Sequence, residues 1–368
     1  MSRASTAALT LAASVLLHAC AFAPGQHLDT ERLASADSAD SARFELVPIT
    51  PKLIAIQEAD YTSETIPAEL LDYQPESYRI GAGDILHITV WDYPEMTAPS
   101  GPQQSLEANG RVVRPDGTLY YPYIGAVKAA GLTVEELRAS IAKRLTKVIA
   151  APQVDVAVIK YESQKVVVSG AFENAEQQSI GSVPLSLLEV VGKAGLNTAQ
   201  ADLSSLMLNR DGKEYRLDLD ALNRAGSSLG RVYLKHGDRV HLAFNDRKRV
   251  YVLGEVIKPA ALPFKTSTLN LSDVLGTVGG LRQETADGSR VYVIRGAEDL
   301  AREPATVYHL DASSPTAFVL AERFHLRPQD VVYVGAADVT RWNRFISQVF
   351  PTANLLRAGT DIKTDLDD

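Results

Sequence analysis

Alternating hydrophobic and polar positions predict that a folded α+β domain begins near Tyr78. Residues 85–91 and 152–158 alternate in this way and are therefore predicted to be strands with one buried face. Between them, Thr133 precedes Glu136 in the spacing of a capping box, which marks the start of a helix. An apolar stripe at helical spacing follows, formed by Leu137, Ile141, Leu145 and Val148.

The same domain contains a turn signal between two short apolar segments. Pro115, Asp116 and Gly117 favour tight-turn dihedral angles and interrupt residues 112–120. We therefore predict two strands joined by this turn, with residues 121–125 continuing the second strand.

Two successive segments of the chain then match each other, which indicates an internal duplication. Four pairs of short segments match in the same order, at spacings of 84, 84, 85 and 92 residues: 165–170 with 249–254, 189–195 with 273–279, 206–210 with 291–295, and 234–240 with 326–332. The increases in spacing place small insertions in loops, which tolerate them. Each copy is predicted to contain strand, turn, strand, a short helix ended by glycine, two strands and a closing strand.

The first twenty residues have the pattern of a signal peptide. Arg3 supplies a positive charge, and residues 7–17 are apolar but too short to cross about 30 Å of hydrocarbon. Residues 17–19 and Cys20 resemble a bacterial lipobox, which implies that Cys20 is acylated and becomes the new N-terminus. Residues 21–22 lack the aspartate that retains lipoproteins in the inner membrane, so the outer membrane is expected. The alternative is a signal cleaved elsewhere, with Cys20 incidental.

The segment between Cys20 and Tyr78 is irregular and rich in proline, serine and alanine. Two interpretations remain open. The segment is either a mobile tether, or extended pieces such as residues 44–47 and 53–56 add edge strands to later domains.

An amphipathic helix is predicted close to the C-terminus, with Asp338 as its N-cap. At about 100° per residue, one apolar arc contains Val339, Trp342, Phe345, Ile346, Val349, Phe350, Ala353 and Leu356. The opposite, polar face includes Arg341, Arg344, Gln348 and Thr352. A rise of about 1.5 Å per residue gives a helix about 27 Å long, close to the thickness of an outer membrane.

A single helix of this kind could not cross lipid alone, because its polar face would be exposed to hydrocarbon. A closed ring of such helices could, with apolar faces toward lipid and polar faces toward a water-filled lumen. The alternative is a helix that packs on the second copy or lies flat on a membrane.

Composition and motifs argue against nucleic-acid binding and catalysis. The net charge is −8 and no basic run is present, so a phosphate-binding surface is not expected. His87, His241 and His309 lie in strand patterns without metal-ligand spacing, and no nucleophile elbow or phosphate loop occurs. The equivalent positions of Asp84, Asp238 and Asp330 before strands are explained by side-chain to backbone turn bonding. No metal site, cofactor or catalytic residue is therefore predicted.

Several of these segments together resemble a known family of polysaccharide exporters. Residues 78–84, 115–117 and 121–125 are similar to the polysaccharide-export domain, and the two copies are similar to SLBB (soluble-ligand-binding β-grasp) domains. Residues 23–28 and 341–344 resemble the Wza-type capsule translocons. The resemblance covers essentially the whole mature chain, in order.

This resemblance implies an outer-membrane lipoprotein whose body forms a periplasmic ring of stacked domains. The family is typically a homo-octamer that crosses the outer membrane through a barrel of C-terminal helices, with the C-terminus at the cell surface. Its cargo is capsular or extracellular polysaccharide. Its implied partner is an inner-membrane polysaccharide co-polymerase, often a tyrosine autokinase.

We therefore expect an α+β multidomain translocon rather than an enzyme. Its predicted parts are a signal peptide (1–19), a lipid-anchored segment (20–77), a polysaccharide-export domain (78–164), two SLBB domains (165–246 and 247–337) and a C-terminal amphipathic transmembrane helix with its tail (338–368). The alternative function is a lipid-anchored periplasmic adaptor that binds polysaccharide or export partners without forming the pore itself.

Overall fold

The computed structural model describes residues 44–59, 65–97, 105, 107–226, 229–296 and 305–338. These residues form two compact units. One unit holds the α+β domain (residues 78–164) and the first repeat up to residue 245, and the other holds residue 246 and the second repeat (247–337), apart from a short stretch at 265–267. The mixture of helices and strands confirms the predicted α+β class.

In the segment that precedes the α+β domain, the described residues 44–59 and 65–77 contain secondary structure that belongs to the two repeats. It contains strand β1 (Phe44–Pro48), helix α1 (Pro51–Ala59) and helix α2 (Ala68–Asp72). β1 pairs in parallel with residues 305–310 of the second repeat, and α1 places Ile54 in the core of that repeat. α2 places Leu70 in the core of the first repeat, where no part of its side chain is exposed. The segment thus completes both repeats.

This arrangement tests the expectation of edge strands at the two named pieces of the segment, and the outcome differs between them. Residues 44–48 add an edge strand, as one interpretation expected. The expectation of an extended piece at 53–56 is wrong, because these residues lie in α1. Ile54 and Ile56 look like an alternating strand in the sequence, but in the helix only Ile54 faces the core and Ile56 is 53% exposed.

The α+β domain consists of a three-stranded sheet, a separate hairpin and a long helix. Its elements are β2 (Ile85–Val90), α3 (Pro94–Thr97), β3 (Arg111–Val112), β4 (Thr118–Tyr121), β5 (Gly125–Lys128), α4 (Val134–Leu145) and β6 (Val154–Lys160). The sheet has the order β3-β2-β6 and is antiparallel. Alternate residues of β2 are buried, as the pattern predicts.

Helix α4 begins at the predicted capping box, in which Thr133 and Glu136 each accept a hydrogen bond from the other residue's backbone N–H. Leu137, Ile141 and Leu145 are fully buried. Val148 was expected in the same stripe, but the helix ends at Leu145 and Val148 is 50% exposed. Ile149 is buried in its place, four residues after Leu145, and its N–H donates to the Leu145 carbonyl at 2.8 Å.

The turn at Pro115–Gly117 forms as predicted, but its two flanking strands belong to different sheets. Gly117 adopts a φ of 78° and donates its N–H to the Arg114 carbonyl at 2.8 Å. β3 precedes the turn and pairs with β2, whereas β4 follows it and pairs with β5. Residues 121–125 turn the chain from β4 into β5 instead of extending a strand.

The first repeat folds around a five-stranded sheet with the order β10-β9-β11-β7-β8. Its elements are β7 (Lys165–Gly170), β8 (Gln177–Ser179), α5 (Leu187–Ala194), β9 (Ala201–Arg210), β10 (Lys213–Leu217), α6 (Leu219–Arg224), a 3₁₀ turn (Leu229–Arg231) and β11 (Arg239–Phe244).

The second repeat has the same topology with β1 added at its edge, in the order β1-β15-β14-β16-β12-β13. Its elements are β12 (Arg249–Gly254), β13 (Ala260–Pro263), α7 (Leu271–Thr277), β14 (Ala286–Arg295), β15 (Ala305–Leu310), α8 (Ala317–Arg323) and β16 (Val331–Ala336).

Details at equivalent positions confirm the duplication. Helices α5 and α7 begin at side-chain caps, Ser186 and Asn270, which are 84 residues apart. Gly170 and Gly254 both have a positive φ, and a Cβ there would lie 2.0 Å from the Leu242 oxygen and 2.1 Å from the Val334 oxygen, respectively. Both glycines are therefore required where the first strand of each repeat meets its closing strand.

No helix among the described residues is long and apolar enough to cross a membrane. The predicted amphipathic helix at 339–356 lies outside them.

Candidate functional site

The sequence-predicted site residues cannot be placed, since all of them lie outside the described residues. They are the lipidation site Cys20, the membrane-facing Val339, Trp342, Phe345, Ile346, Val349, Phe350, Ala353 and Leu356, and the lumen-facing Arg341, Arg344, Gln348 and Thr352. Their roles remain predictions. Among the described residues, buried polar and charged side chains lie at the turns before the strands, and a cavity lies at the junction of the α+β domain with the first repeat.

Three buried aspartates occupy equivalent turns, one in each domain. Asp84, Asp238 and Asp330 are at most 1% exposed. Each carboxylate accepts a hydrogen bond from the backbone N–H three residues earlier, at 2.8, 3.0 and 2.8 Å respectively. Their interpretation as turn-bonding residues is thereby confirmed.

In the two repeats the same aspartate also binds a buried arginine, which sequence reasoning missed. Arg210 contacts Asp238 at 2.6 Å, and Arg295 contacts Asp330 at 2.7 Å. Both arginines end matched segments of the duplication, so their recurrence was visible in the sequence. The reason for it was not visible, because each partner lies about thirty residues away in the chain.

Asp84 has a different set of partners, which join the beginning and end of the α+β domain. It accepts hydrogen bonds from the Tyr78 hydroxyl at 2.6 Å and from the backbone N–H groups of Glu162 and Ser163, both at 2.9 Å. Burial, together with the bond to Asp84, raises the pKa of the Tyr78 hydroxyl far above its ordinary value. The raised pKa therefore keeps the Tyr78 hydroxyl protonated, and able to donate to Asp84, at alkaline pH values where an ordinary tyrosine ionises.

The link between the α+β domain and the first repeat is fixed by further bonds within the same unit. The Gln164 amide donates to the Arg79 carbonyl at 3.0 Å, and the Gln164 carbonyl accepts from the Ile180 N–H at 2.9 Å. On the other side of the link, the Lys165 N–H donates to His236 Nδ1 at 3.1 Å. These bonds hold the link in a defined conformation.

A cavity of about 340 Å³ opens at this junction, and we call it the junction cavity. Its lining includes Tyr73, Arg79, Gln164, Ser182, Asp211 and Lys235. The Tyr73 ring packs against the Arg210 guanidinium at 4.9 Å, and Lys235 forms an ion pair with Asp211. The lining of the junction cavity therefore combines the aromatic ring of Tyr73, the paired charges of Lys235 and Asp211, and the side-chain amide of Gln164.

The three strand histidines have separate surroundings. His241 Nδ1 lies 3.0 Å from the Ser169 hydroxyl, and His309 Nε2 lies 2.7 Å from the Ser289 carbonyl. The buried Nδ1 of His87 has no hydrogen-bond partner among the described residues. In the part of the chain that the structure describes, no three histidine, cysteine, aspartate or glutamate side chains are grouped so that they could hold a metal ion.

Family models match nearly the whole described body and the segment beyond it. The model of the polysaccharide biosynthesis/export protein matches residues 72–159. The model of the SLBB domain matches twice, at 164–242 and 248–334. The model of the outer-membrane lipoprotein Wza C-terminal domain matches residues 337–366.

Full-length relatives agree with these matches. The chain is 40% identical over 370 residues to the EPS I polysaccharide export outer membrane protein EpsA of Ralstonia nicotianae, and the alignment covers 95% of both chains. It is 25% identical to the capsule polysaccharide export protein BexD of Haemophilus influenzae, over 77% of each chain. It is 23% identical to the capsule polysaccharide export outer membrane protein CtrA of Neisseria meningitidis, over 91% of this chain and 93% of the relative.

Proposed function

Because this chain belongs to the family of outer-membrane polysaccharide export proteins, we propose that it forms the pore through which a capsular or extracellular polysaccharide leaves the cell. It is an export protein of the outer membrane and not an enzyme. The observation that carries the proposal is the 40% identity to EpsA, a polysaccharide export protein, across 95% of both chains. The proposed cargo is therefore a polysaccharide.

The proposed pore is an octameric ring whose C-terminal helices form a barrel across the outer membrane. Two observations support this. The Wza C-terminal model matches residues 337–366, which include the predicted helix. In addition, the sequence predicts for this helix an apolar face from Val339 to Leu356 and an opposite polar face with Arg341, Arg344, Gln348 and Thr352. Lipid on one side and water on the other would require such a pattern.

The remaining parts of the proposal follow the predicted domain order. Residues 1–19 form the signal peptide, Cys20 carries the lipid, and residues 78–164, 165–246 and 247–337 form the export domain and the two SLBB domains in the periplasm. The C-terminus lies at the cell surface. The inner-membrane partner is a polysaccharide co-polymerase with tyrosine autokinase activity.

The test compares the two faces of the helix in cells that lack their own copy of the protein. Ile346→Asp puts a carboxylate into hydrocarbon, at a cost of about 2.5–3.5 kcal/mol per helix, and the ring repeats that cost in every subunit. Surface polysaccharide should disappear. Gln348→Glu is the matched control on the polar face, where the new charge stays hydrated, and it should export normally. If both variants export equally well, the helix does not face lipid as proposed.

The crossing itself is tested with Thr364→Cys, since the only natural cysteine, Cys20, is acylated in the proposed mature protein. A membrane-impermeant thiol reagent should label Cys-substituted position 364 on intact cells. Labelling that requires permeabilised outer membranes would contradict the pore. It would favour a lipid-anchored adaptor that serves a separate channel.

A further inference from the structure

We propose that the junction cavity is a saccharide-binding site, which holds a short stretch of the polymer while it passes through the periplasm. This inference rests on the proposed function and adds a binding site to it. The cavity volume of about 340 Å³ lies in the range of small-molecule sites, about 300–1,000 Å³. Its position between two domains of one unit is also typical of such sites.

The aromatic part of the site is held in place before any ligand binds. The Tyr73 ring packs on the Arg210 guanidinium, and Arg210 is fixed by Asp238 and by the Tyr233 carbonyl at 2.7 Å. A tyrosine ring offers both an apolar surface and a polar hydroxyl, which suits a sugar ring with C–H groups on its faces and hydroxyls at its edge. Because Tyr73 is already ordered, binding loses little side-chain entropy.

The polar lining suits an uncharged, hydroxyl-rich ligand better than an anion. Lys235 is already paired with Asp211, and Arg79 lies 3.8 Å from the Glu136 carboxylate. Glu76 adds a further negative charge to the lining. An isolated cluster of cations, which a phosphate site would need, is therefore not present in this lining. The remaining amides and hydroxyls can both donate and accept hydrogen bonds, as sugar hydroxyls do.

Comparison of the two repeats shows that the Tyr73 arrangement is specific to the first one. In the second repeat the equivalent guanidinium, that of Arg295, packs against Tyr308 and Phe324 of the repeat itself, at 4.9 and 5.9 Å. Val232 occupies the position of Phe324 in the first repeat. The Val232 carbonyl accepts a hydrogen bond from the Leu187 N–H, just as the Phe324 carbonyl accepts one from the Leu271 N–H. Because the Val232 side chain is smaller than that of phenylalanine, the Arg210 guanidinium packs against Tyr73 instead. Tyr73 lies in the segment before the α+β domain.

The test uses the full-length chain in detergent and, as the probe, short oligosaccharides made by mild acid hydrolysis of the polymer that its host strain secretes. Saturation-transfer NMR reports binding. Ser182→Trp fills the cavity from its exposed rim, and Ser77→Trp fills it from the segment beside Tyr78. Val183→Trp is the matched control, since Val183 is 73% exposed and does not line the cavity. Circular dichroism checks that each variant is folded.

We expect saccharide signals from the unchanged chain and from Val183→Trp, and their loss in both Ser182→Trp and Ser77→Trp. Equal signals from all four proteins would overturn the proposal, as would binding that inorganic phosphate displaces. The proposed function is scored separately, by surface polysaccharide in cells that carry the unchanged chain. If these cells export polymer but the purified chain binds no fragment, the export function stands and the saccharide site fails.

Discussion

Arg295 and Asp330 form a buried two-point contact, in which Nε donates to one carboxylate oxygen at 3.0 Å and Nη2 to the other at 2.7 Å. Arg210 and Asp238 repeat this contact in the first repeat. The aspartate thereby serves two purposes, because it closes the turn before the last strand and ties that turn to the end of the long central strand. A planar guanidinium is required for such a fork.

Removal of this arginine should strongly destabilise the second repeat. Arg295→Met leaves Asp330 buried and without its cation, which typically costs about 3–5 kcal/mol. Arg323→Met is the control in the same repeat, because Arg323 and its partner Glu58 are 66% and 47% exposed, and such pairs contribute about 1 kcal/mol at most. Hydrogen exchange of the β14 amides in the full-length chain measures both. Similar protection in the two variants would mean that the buried pair is not important for stability.

A second prediction concerns the glycine at the end of β12. Gly254→Ala must place a Cβ 2.1 Å from the Val334 carbonyl oxygen at a φ of 86°, and the φ alone costs about 1–3 kcal/mol. The pairing of β12 with β16 should therefore weaken. Gly276→Ala is the matched control, since among the described residues no atom outside its neighbours and its own helix backbone lies within 4 Å of its Cβ position in helix α7. It should be neutral or stabilise by about 0.4–1 kcal/mol. In urea, the unfolding midpoint of Gly254→Ala should therefore fall, whereas that of Gly276→Ala should stay the same or rise.

The third prediction tests the role of the segment before the α+β domain. Ile54→Ala removes a side chain that is 3% exposed in the core of the second repeat, and such truncations cost about 2–5 kcal/mol. Ile56→Ala, two residues later in the same helix, removes a side chain that is 53% exposed and should change stability by about 0.5 kcal/mol or less. Protease cleavage within β15 reports the difference. Equal cleavage of both variants would show that α1 does not stabilise the repeat.

The parts of the fold that depend on local signals were predictable from the sequence. The capping box at Thr133, the alternation in β2 and the spacing of the two copies all depend on residues that are close in the chain or repeated in it. An edge strand at residues 44–47 was only one of two open possibilities, and its partner β15 was not predicted, because strand partners more than 250 residues apart leave no local pattern.

The incorrect expectations have specific physical causes. Two isoleucines with one residue between them are compatible with either a strand or a helix, so the sequence of residues 51–59 alone does not determine which of the two forms. The helix is favoured by tertiary packing, because Ile54 is buried in the core of the second repeat while Ile56 is exposed. Val148 continues the helical spacing, but the chain turns after Leu145. The ion pairs of Asp238 and Asp330 with arginine were missed because the sequence shows only that the arginine occurs in both copies. It does not show which carboxylate the arginine contacts.

The fourth prediction concerns alkaline pH. Burial raises the pKa of the Tyr121 hydroxyl to about 12, with Arg111 acting in the opposite direction, whereas an unfolded tyrosine has a pKa of about 10. The folded chain therefore holds this proton more tightly, so the contribution of Tyr121 is complete below pH about 10 and is lost as the pH rises toward about 12. Between these values, urea midpoints should fall less in Tyr121→Phe than in the unchanged chain. Tyr120→Phe, at an exposed neighbour, should follow the unchanged chain; if Tyr121→Phe does so too, burial does not control this proton.

The last prediction concerns the membrane anchor. Cys20 is the only cysteine of the chain and follows an apolar segment that is too short to span a bilayer, so a lipidated cysteine is the anchor that the sequence offers. In cells fed a fatty-acid analogue, the unchanged chain should incorporate the analogue, and Cys20→Ala should not, because it has no thiol to acylate. Ala21→Asp is the matched variant at the next position. It keeps the thiol and should remain labelled, but it introduces the aspartate that retains lipoproteins in the inner membrane, so it should fractionate there and surface polysaccharide should fall. Equal label on Cys20→Ala and the unchanged chain would exclude Cys20 as the lipid site, and the anchor would then have to be sought in another part of the protein.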